Sequence, residues 1–111
     1  MKFVCLVYAE EPALASVSDS ECMANGTTLK AGGHYIAAEA LEPARTAKSV
    51  RVRGGQVSVT DGPYTEAKEL VAGFYLIDAK DWDEAIALAA KIPPARVGGI
   101  EVRPVRELQA D

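Results

Sequence analysis

Two stretches of this chain are apolar on both sides of a predicted strand, and they constrain its fold more than any other feature. From Phe3 to Tyr8, the alternating positions on both sides are apolar. Residues 70–78 repeat this pattern, most clearly from Phe74 to Ile77. A strand that is apolar on both faces usually lies in the centre of a sheet that is covered on both sides. The fold must therefore cover both faces of one sheet.

Residues 18–31 are predicted to form a short or irregular helix. Ser18-Asp19-Ser20-Glu21 fits a capping box, and Gly32-Gly33 would end the helix. Between these signals, Asn25-Gly26-Thr27-Thr28 has low helix propensity. This segment is the one whose structure the sequence indicates most weakly.

A second helix has clearer signals. Asp81 is predicted to cap it, with Glu84 three residues later, and Pro93-Pro94 would end it. Its apolar face is predicted to carry Trp82, Ala85, Ile86, Ala89 and Ile92. Beyond residues 2–8 and 70–78, strands are predicted at 34–38, 48–53, 56–60 and 100–105.

The segment 48–60 is predicted to be a β-hairpin that turns at Gly54-Gly55, since two residues free to take positive φ suit a type I′ turn. Alternation places polar residues, including Arg51 and Arg53, on one face. The other face is expected to be buried and carries Val50, Val52, Val57 and Val59.

The predicted order, β-α-β-β-β-β-α-β over a single domain of residues 1–111, is that of an α+β, ferredoxin-like split-βαβ sandwich with an added β-hairpin. Two helices cover only one face of such a sheet. The second apolar face would need another copy of the chain, since an exposed apolar sheet face is a liability. We therefore predict a homodimer that forms through the sheet face and closes a barrel-like core.

Composition excludes several classes of protein. With 49% apolar and 25% charged residues, the chain is not of the disordered or fibrous kind. A net charge of −4 without a basic run argues against nucleic acid as a partner. The apolar runs are too short for a membrane span or a signal peptide, so a cytoplasmic protein is expected.

No cofactor or metal site is predicted. Cys5 and Cys22 are the two cysteines, and neither belongs to a CxxC motif or has a histidine at ligand spacing. Cys5, within an apolar strand, is expected to be a buried hydrophobic residue. Gly-rich phosphate loops and Ser-His-Asp arrangements are likewise not indicated.

His34 and Asp61 are the candidate catalytic residues. His34 is the single histidine and begins a predicted strand after a Gly-Gly turn. Its ordinary pKa lies near neutrality, so it could act as a general acid or base if a carboxylate, such as Asp61, oriented it. The alternatives are that His34 has no role and that Asp61 only caps the Gly62-Pro63 turn.

Other side chains could bind a ligand. Arg51 and Arg53 lie on the polar hairpin face and could bind an anion, although such residues more often protect an exposed edge strand. Lys68 could neutralise an anionic group, and Tyr8 could line a cleft. We therefore expect any ligand to be a small anionic or carbonyl-bearing molecule.

These residues resemble the YCII-related, or DGPF-motif, proteins. The similarity rests on three stretches and covers nearly the whole chain: residues 34–41, residues 60–76 with Asp61-Gly62-Pro63-Tyr64, and residues 92–104. Tyr64 stands where the family usually has Phe. The resemblance implies a ferredoxin-like fold that dimerises as a dimeric α/β barrel, with a possible His and Asp site in the cleft of each subunit.

Two functions follow as hypotheses. The chain would be a small cofactor-independent enzyme in which His34 and Asp61 perform acid/base chemistry. Alternatively, it would be a non-catalytic dimeric module that binds a ligand or regulates a partner. The resemblance implies a possible link of this second function to extracytoplasmic-function sigma factors, since some members of the family occur beside or fused to them.

Overall fold

The computed structural model, which describes residues 1–110, contains one four-stranded antiparallel sheet and a separate two-stranded ribbon. Strands of the larger sheet follow the order β2-β5-β1-β6. The elements are β1 (Lys2–Ala9), α1 (Glu11–Leu14), α2 (Asp19–Ala31), β2 (Tyr35–Ala40), β3 (Lys48–Arg53), β4 (Gln56–Asp61), β5 (Leu70–Asp78), α3 (Trp82–Ala89) and β6 (Gly99–Pro104), with 3₁₀ turns at Ala44–Thr46 and Pro93–Arg96. The predicted ferredoxin-like α+β fold is confirmed.

The two doubly apolar strands are the central strands, as predicted. β1 and β5 pair antiparallel, and their inward residues form the core under the helices, at Phe3, Cys5, Val7, Tyr75 and Ile77. The opposite side of the sheet, which we call the open face, carries Val4, Leu6, Phe74 and Leu76. Each of these four side chains remains partly exposed. A single chain therefore buries the centre of one face of the sheet, whereas the corresponding residues of the other face stay partly exposed.

α2 is a continuous helix of 13 residues, so the prediction of a short or irregular helix was wrong. Ser18 Oγ accepts from the Glu21 amide at 3.2 Å and caps the helix start. The hydroxyls of Thr27 and Thr28 donate to main-chain carbonyls one turn earlier and so stay within the helix. The cap at Ser18 and the burial of Leu29 in the core support the helix despite the low helix propensity of its middle.

α3 begins where the sequence predicted. Asp81 Oδ1 accepts from the Glu84 amide at 2.9 Å, and Ala85 and Ala89 are buried. Trp82 packs the edge of its ring against Phe3, with ring centroids 5.1 Å apart. Ile86, by contrast, is 54% exposed, so the buried stripe of α3 is narrower than its apolar pattern indicated.

β3 and β4 form the predicted hairpin, which we call the arm (residues 48–61). Gly54 and Gly55 both have positive φ, 55° and 76°, as a type I′ turn requires. The valines of one face, however, are exposed by 56 to 68%. Their predicted burial therefore does not occur within one chain, because the arm forms its own sheet instead of packing on the larger one.

Candidate functional site

His34 is held at the junction of α2, β5 and α3. Its amide donates to the Leu29 carbonyl at the end of α2, and its carbonyl accepts from the Asp78 amide. Its ring Nδ1 lies 2.9 Å from the Asp78 carbonyl oxygen. Because a carbonyl only accepts, Nδ1 carries the proton and Nε2 is the free nitrogen of the neutral ring. Glu84 Oε1 is 3.8 Å from Nδ1, and the side chain of His34 is 25% exposed.

Asp61 lies at the base of the arm. Its carboxylate is 86% exposed and accepts from Lys48 Nζ at 2.6 Å. Residues at alternate positions of paired strands share a face, so this ion pair lies on the same face of the arm as the valines. Next to it, Ser49 Oγ donates to the Gly62 carbonyl at 2.9 Å and ties the Asp61-Gly62-Pro63 turn to β3.

The predicted contact between His34 and Asp61 is not formed within the chain. β2 begins beside Ile77 and ends beside Gly73, and only beyond that end does the chain continue to the arm. Six strand residues span about 20 Å, so His34 and the start of the link to the arm lie at opposite ends of β2. The catalytic roles of His34 and Asp61 stay predictions, and within one chain each would act without the other.

The predicted ligand-binding residues are also spread over the surface. Arg51 lies 4.6 Å from the centre of the Tyr64 ring, a cation–π contact on the polar face of the arm. Arg53 donates to the neighbouring Val52 carbonyl. Lys68 is exposed in the segment before β5, and Tyr8 lines a cavity of about 400 Å³ at the base of the arm.

A larger cavity lies between α2 and the sheet. Its volume is about 640 Å³, and its walls come from α1, α2, β1, β2 and β5. Leu29 is the single buried residue of α2, so most of the helix covers the sheet without filling the space below it. We call this space the α2 cavity.

Small residues on both sides keep the α2 cavity open. Ala38, Ala72 and Gly73 line it from the strands, and Gly26 lines it from the helix. A Cβ atom added at Gly26 would meet no atom within 4 Å. From the sequence, Gly26 is indicated only as a residue of low helix propensity. The facing small residues were the signal of a cavity, but they become visible as a pattern only once the pairing of β2 with β5 is known.

A few polar groups are placed around this mainly apolar space. Tyr75 lines the cavity and is 8% exposed. Burial raises the pKa of its phenol, which stays protonated and able to donate. Asn25, whose side chain acts to lower that pKa, has a buried Nδ2 without a hydrogen-bond partner within residues 1–110.

The cavity also contains one cation and one thiol. Lys30 Nζ lies 4.7 Å above the centre of the Tyr35 ring, and both residues line the cavity together with Asp19 and Glu39. Cys22 lines it as well, and burial together with nearby carboxylates raises the pKa of its thiol. Cys5 is buried in the core as predicted, and burial raises its pKa to about 11.

Comparison with known proteins identifies the chain's relatives. The profile of the YCII-related domain matches residues 1–109. The chain belongs to the YCII-related family. An uncharacterized protein of Rhizobium meliloti (strain 1021) is 42% identical to this YCII-related chain over 67 residues, which are 59% of this chain. The match spans 54% of that relative's length, so the chain covers about half of the curated relative that it matches.

Two further observations concern what this YCII-related chain contains. No helix within residues 1–110 has the length and apolar character needed to cross a bilayer. In the same range, no three histidine, cysteine, aspartate or glutamate side chains are grouped so as to hold a metal ion. The α2 cavity, at about 640 Å³, is larger than the cavity beside Tyr8, and its chemistry is that of apolar walls with a few polar groups.

Proposed function

We propose that this YCII-related chain is a homodimeric module that binds a small molecule in the α2 cavity. The cavity itself carries the proposal. Its volume of about 640 Å³ is within the range of roughly 300–1,000 Å³ that is usual for ligand sites. Apolar walls with a small number of polar groups are also typical of such sites.

The ligand proposed for this site has an apolar body and one carbonyl or carboxylate. The walls offer donors at the Tyr75 hydroxyl and the Lys30 ammonium, which suit an acceptor group on the ligand. Lys30 suits a single negative charge, whereas Asp19 and Glu39 disfavour a ligand with several. A ligand of this kind agrees with the small anionic or carbonyl-bearing molecule expected from the sequence.

The alternative is a cofactor-independent acid/base enzyme. One observation favours it: the Asp78 carbonyl orients the ring of His34 and leaves Nε2 free to accept a proton. Glu84, not Asp61, would be the nearby carboxylate, but Glu84 Oε1 already accepts from the Lys80 amide at 3.0 Å. Neither cavity is lined by His34. We therefore prefer the binding module, with catalysis as the second candidate.

A regulatory function would use the same cavity as a sensor. A link to extracytoplasmic-function sigma factors and a cytoplasmic location are predictions from the family resemblance and from the sequence, respectively. They add to the proposed binding function and do not replace it.

Filling the cavity from the helix side is the test of this proposal. Octanoate and acetophenone, each an apolar body with one carboxylate or carbonyl, are screened for their effect on thermal unfolding. A binder at 100 times its dissociation constant should stabilise the wild type by about 2.7 kcal/mol. In Gly26→Leu the new side chain enters the empty space, so this stabilisation should disappear.

Gly26→Ala is the matched control. Its methyl group leaves most of the cavity open and should itself stabilise α2 by about 1 kcal/mol, because alanine is the better helix former. Ligand-induced stabilisation should persist in Gly26→Ala and also in His34→Ala. A shift that survives in Gly26→Leu, or one that is lost in His34→Ala, would contradict binding in the α2 cavity.

A further inference from the structure

The α2 cavity is elongated along its helix. The residues of α2 that line it recur every three or four positions and so form one face of the helix: Asp19, Cys22, Met23, Gly26, Thr27 and Lys30. At a rise of 1.5 Å per residue, this face is about 16 Å long. Spread over that length, the volume of about 640 Å³ corresponds to a mean cross-section of roughly 40 Å². The cavity is therefore a narrow channel.

The connection between α2 and β2 fixes which residues meet at each end of the channel. Only residues 32–34 separate the two elements, so β2 begins beside the end of the helix and runs back beneath it. Lys30 Nζ accordingly lies 4.7 Å above the ring of Tyr35, the first residue of β2. Leu41, which follows the last residue of β2, then lies towards the start of α2.

The two ends of the channel differ in chemistry. Lys30 supplies an ammonium group at one end, beside the Tyr35 ring. The other end, near the start of α2, is mainly apolar and is lined by Leu14, Val17, Leu41 and Pro94. Such a gradient suits a ligand with an anionic group at one end and an apolar group at the other.

An ion pair ties the apolar end of the channel together. Arg96 Nη2 donates to Glu21 Oε2 at 2.7 Å and so joins the 3₁₀ turn that carries Pro94 to the first turn of α2. The start of a helix attracts anions. Here, however, Asp19 and Glu21 already provide negative charge, so a ligand carboxylate is favoured at Lys30 instead.

Small residues leave the middle of the channel open. Gly26 lies on the helix side, and Ala38, Ala72 and Gly73 lie on the strand side. A methylene chain that passes between them exchanges water for apolar walls, which favours binding in proportion to the number of methylenes buried.

We infer that the ligand of the α2 cavity is an unbranched, medium-chain carboxylic acid that lies lengthwise, with its carboxylate at Lys30 and its alkyl chain at the apolar end. An extended chain advances about 1.2 Å per bond, because three backbone bonds advance at most about 3.6 Å. The channel therefore accepts about ten to twelve carbons. The inference rests on the proposed binding function and narrows its ligand class.

A chain-length series tests the length of the channel. Titration calorimetry compares hexanoate, octanoate, decanoate, dodecanoate and tetradecanoate at concentrations below those at which they form micelles. Each added methylene should tighten binding about fourfold, which corresponds to about 0.8 kcal/mol per buried CH₂. The gain should end at dodecanoate, because the apolar end is closed. Equal affinities across the series, or a gain that continues to tetradecanoate, would overturn the inference.

Exchanging the cation tests the position of the carboxylate. Lys30→Gln should weaken the binding of octanoate about tenfold, the low end for a hydrogen bond to a charged group. Methyl octanoate, which has no charge, should bind the variant and the wild type equally. Lys91→Gln, which removes the same charge from an exposed position after α3, should bind octanoate as the wild type does. Unchanged octanoate binding in Lys30→Gln would overturn the inference.

Cys22 reports where the alkyl chain ends. It lines the half of the channel towards the apolar end, whereas Cys5 is buried in the core. Dodecanoate at ten times its dissociation constant should slow alkylation of Cys22 by N-ethylmaleimide about tenfold, since only the unoccupied protein reacts. Hexanoate at the same occupancy should leave the rate unchanged, because its chain ends short of Cys22. Equal protection by both acids would show the reverse orientation and overturn the inference.

The outcomes separate this inference from the proposed function. If no acid of the series and no acetophenone binds, the proposed cavity site and the inference both fail. If octanoate binds the wild type and not Gly26→Leu, yet binds Lys30→Gln as tightly as the wild type, the cavity site stands and the lengthwise orientation fails.

Discussion

Gly98→Ala is expected to destabilise the protein by about 3 kcal/mol, the upper end of the usual range for overpacking. A Cβ atom at this position would overlap the carbonyl oxygen of Tyr8 and lie 2.9 Å from the Ala9 Cβ atom. The obstacle is largely main chain of a central strand, which cannot move aside as a flexible side chain does. Denaturant unfolding at fixed protein concentration measures the change.

The neighbouring glycine is the matched control for this prediction. A Cβ atom added at Gly99 would meet no atom within 4 Å, and this residue pairs with Tyr8 in the β1–β6 ladder. Gly99→Ala should therefore change stability by less than about 0.5 kcal/mol, as is usual for unobstructed surface positions. Equal losses of stability in both variants would show that the close approach of Gly98 to β1 is not the cause of the destabilisation.

Phe3→Ala is expected to cost about 3–5 kcal/mol, the usual range for a large aromatic residue removed from a core. Phe3 is fully buried and is among the largest such side chains, and it contacts Trp82 in an edge-to-face arrangement. Its removal leaves a cavity at the centre of the layer between the sheet and α3. Since domains of this kind are stable by about 5–15 kcal/mol, the variant would lose a large share of its stability.

Ile86→Ala serves as the control for the loss of a large apolar side chain. Ile86 is 54% exposed on α3, and alanine has the higher helix propensity. Its replacement should change the free energy of unfolding by less than about 0.5 kcal/mol. A loss comparable to that of Phe3→Ala would mean that Ile86 is buried in the assembled protein, and would reveal a contact absent from the single chain.

The elements that local chemistry determines were predictable from the sequence. The double apolar pattern of β1 and β5 placed both at the centre of the sheet, and Asp81 with Glu84 indicated the start of α3. Gly54-Gly55 indicated the hairpin turn, since positive φ at two successive positions is costly for other residues. For the start of α3 and the hairpin turn the decisive interaction lies within a few residues along the chain, and for β1 and β5 the apolar pattern itself is local.

Features that depend on tertiary packing were not predictable. Alternation showed that the valines of the arm share a face, but it could not show that their own chain leaves that face exposed. α2 was expected to be irregular because the low propensity of residues 25–28 was weighted above the cap at Ser18, and the burial of Leu29 in the core was not visible from the sequence. The α2 cavity was not predictable because it arises from small residues on separate elements, which come together only in the folded chain.

The candidate pair of His34 and Asp61 shows the limit of motif reasoning most clearly. Both residues stand at turns, which is where functional side chains often lie. The order of the strands nevertheless places His34 against α3 and Asp61 at the base of the arm, each with a different partner. Residue type and spacing identified two reactive groups, whereas only the topology could decide whether they meet.

An NMR titration distinguishes the α2 cavity from the region of His34 and from that of Asp61 as the ligand site. The backbone amides of the wild type are followed while the better stabiliser of octanoate and acetophenone is added. Binding in the α2 cavity should give saturable shifts concentrated at Gly26, Ala72 and Tyr75, with little change at His34 and Asp61. Shifts concentrated at His34 and Asp61, with the α2 cavity unchanged, would contradict it.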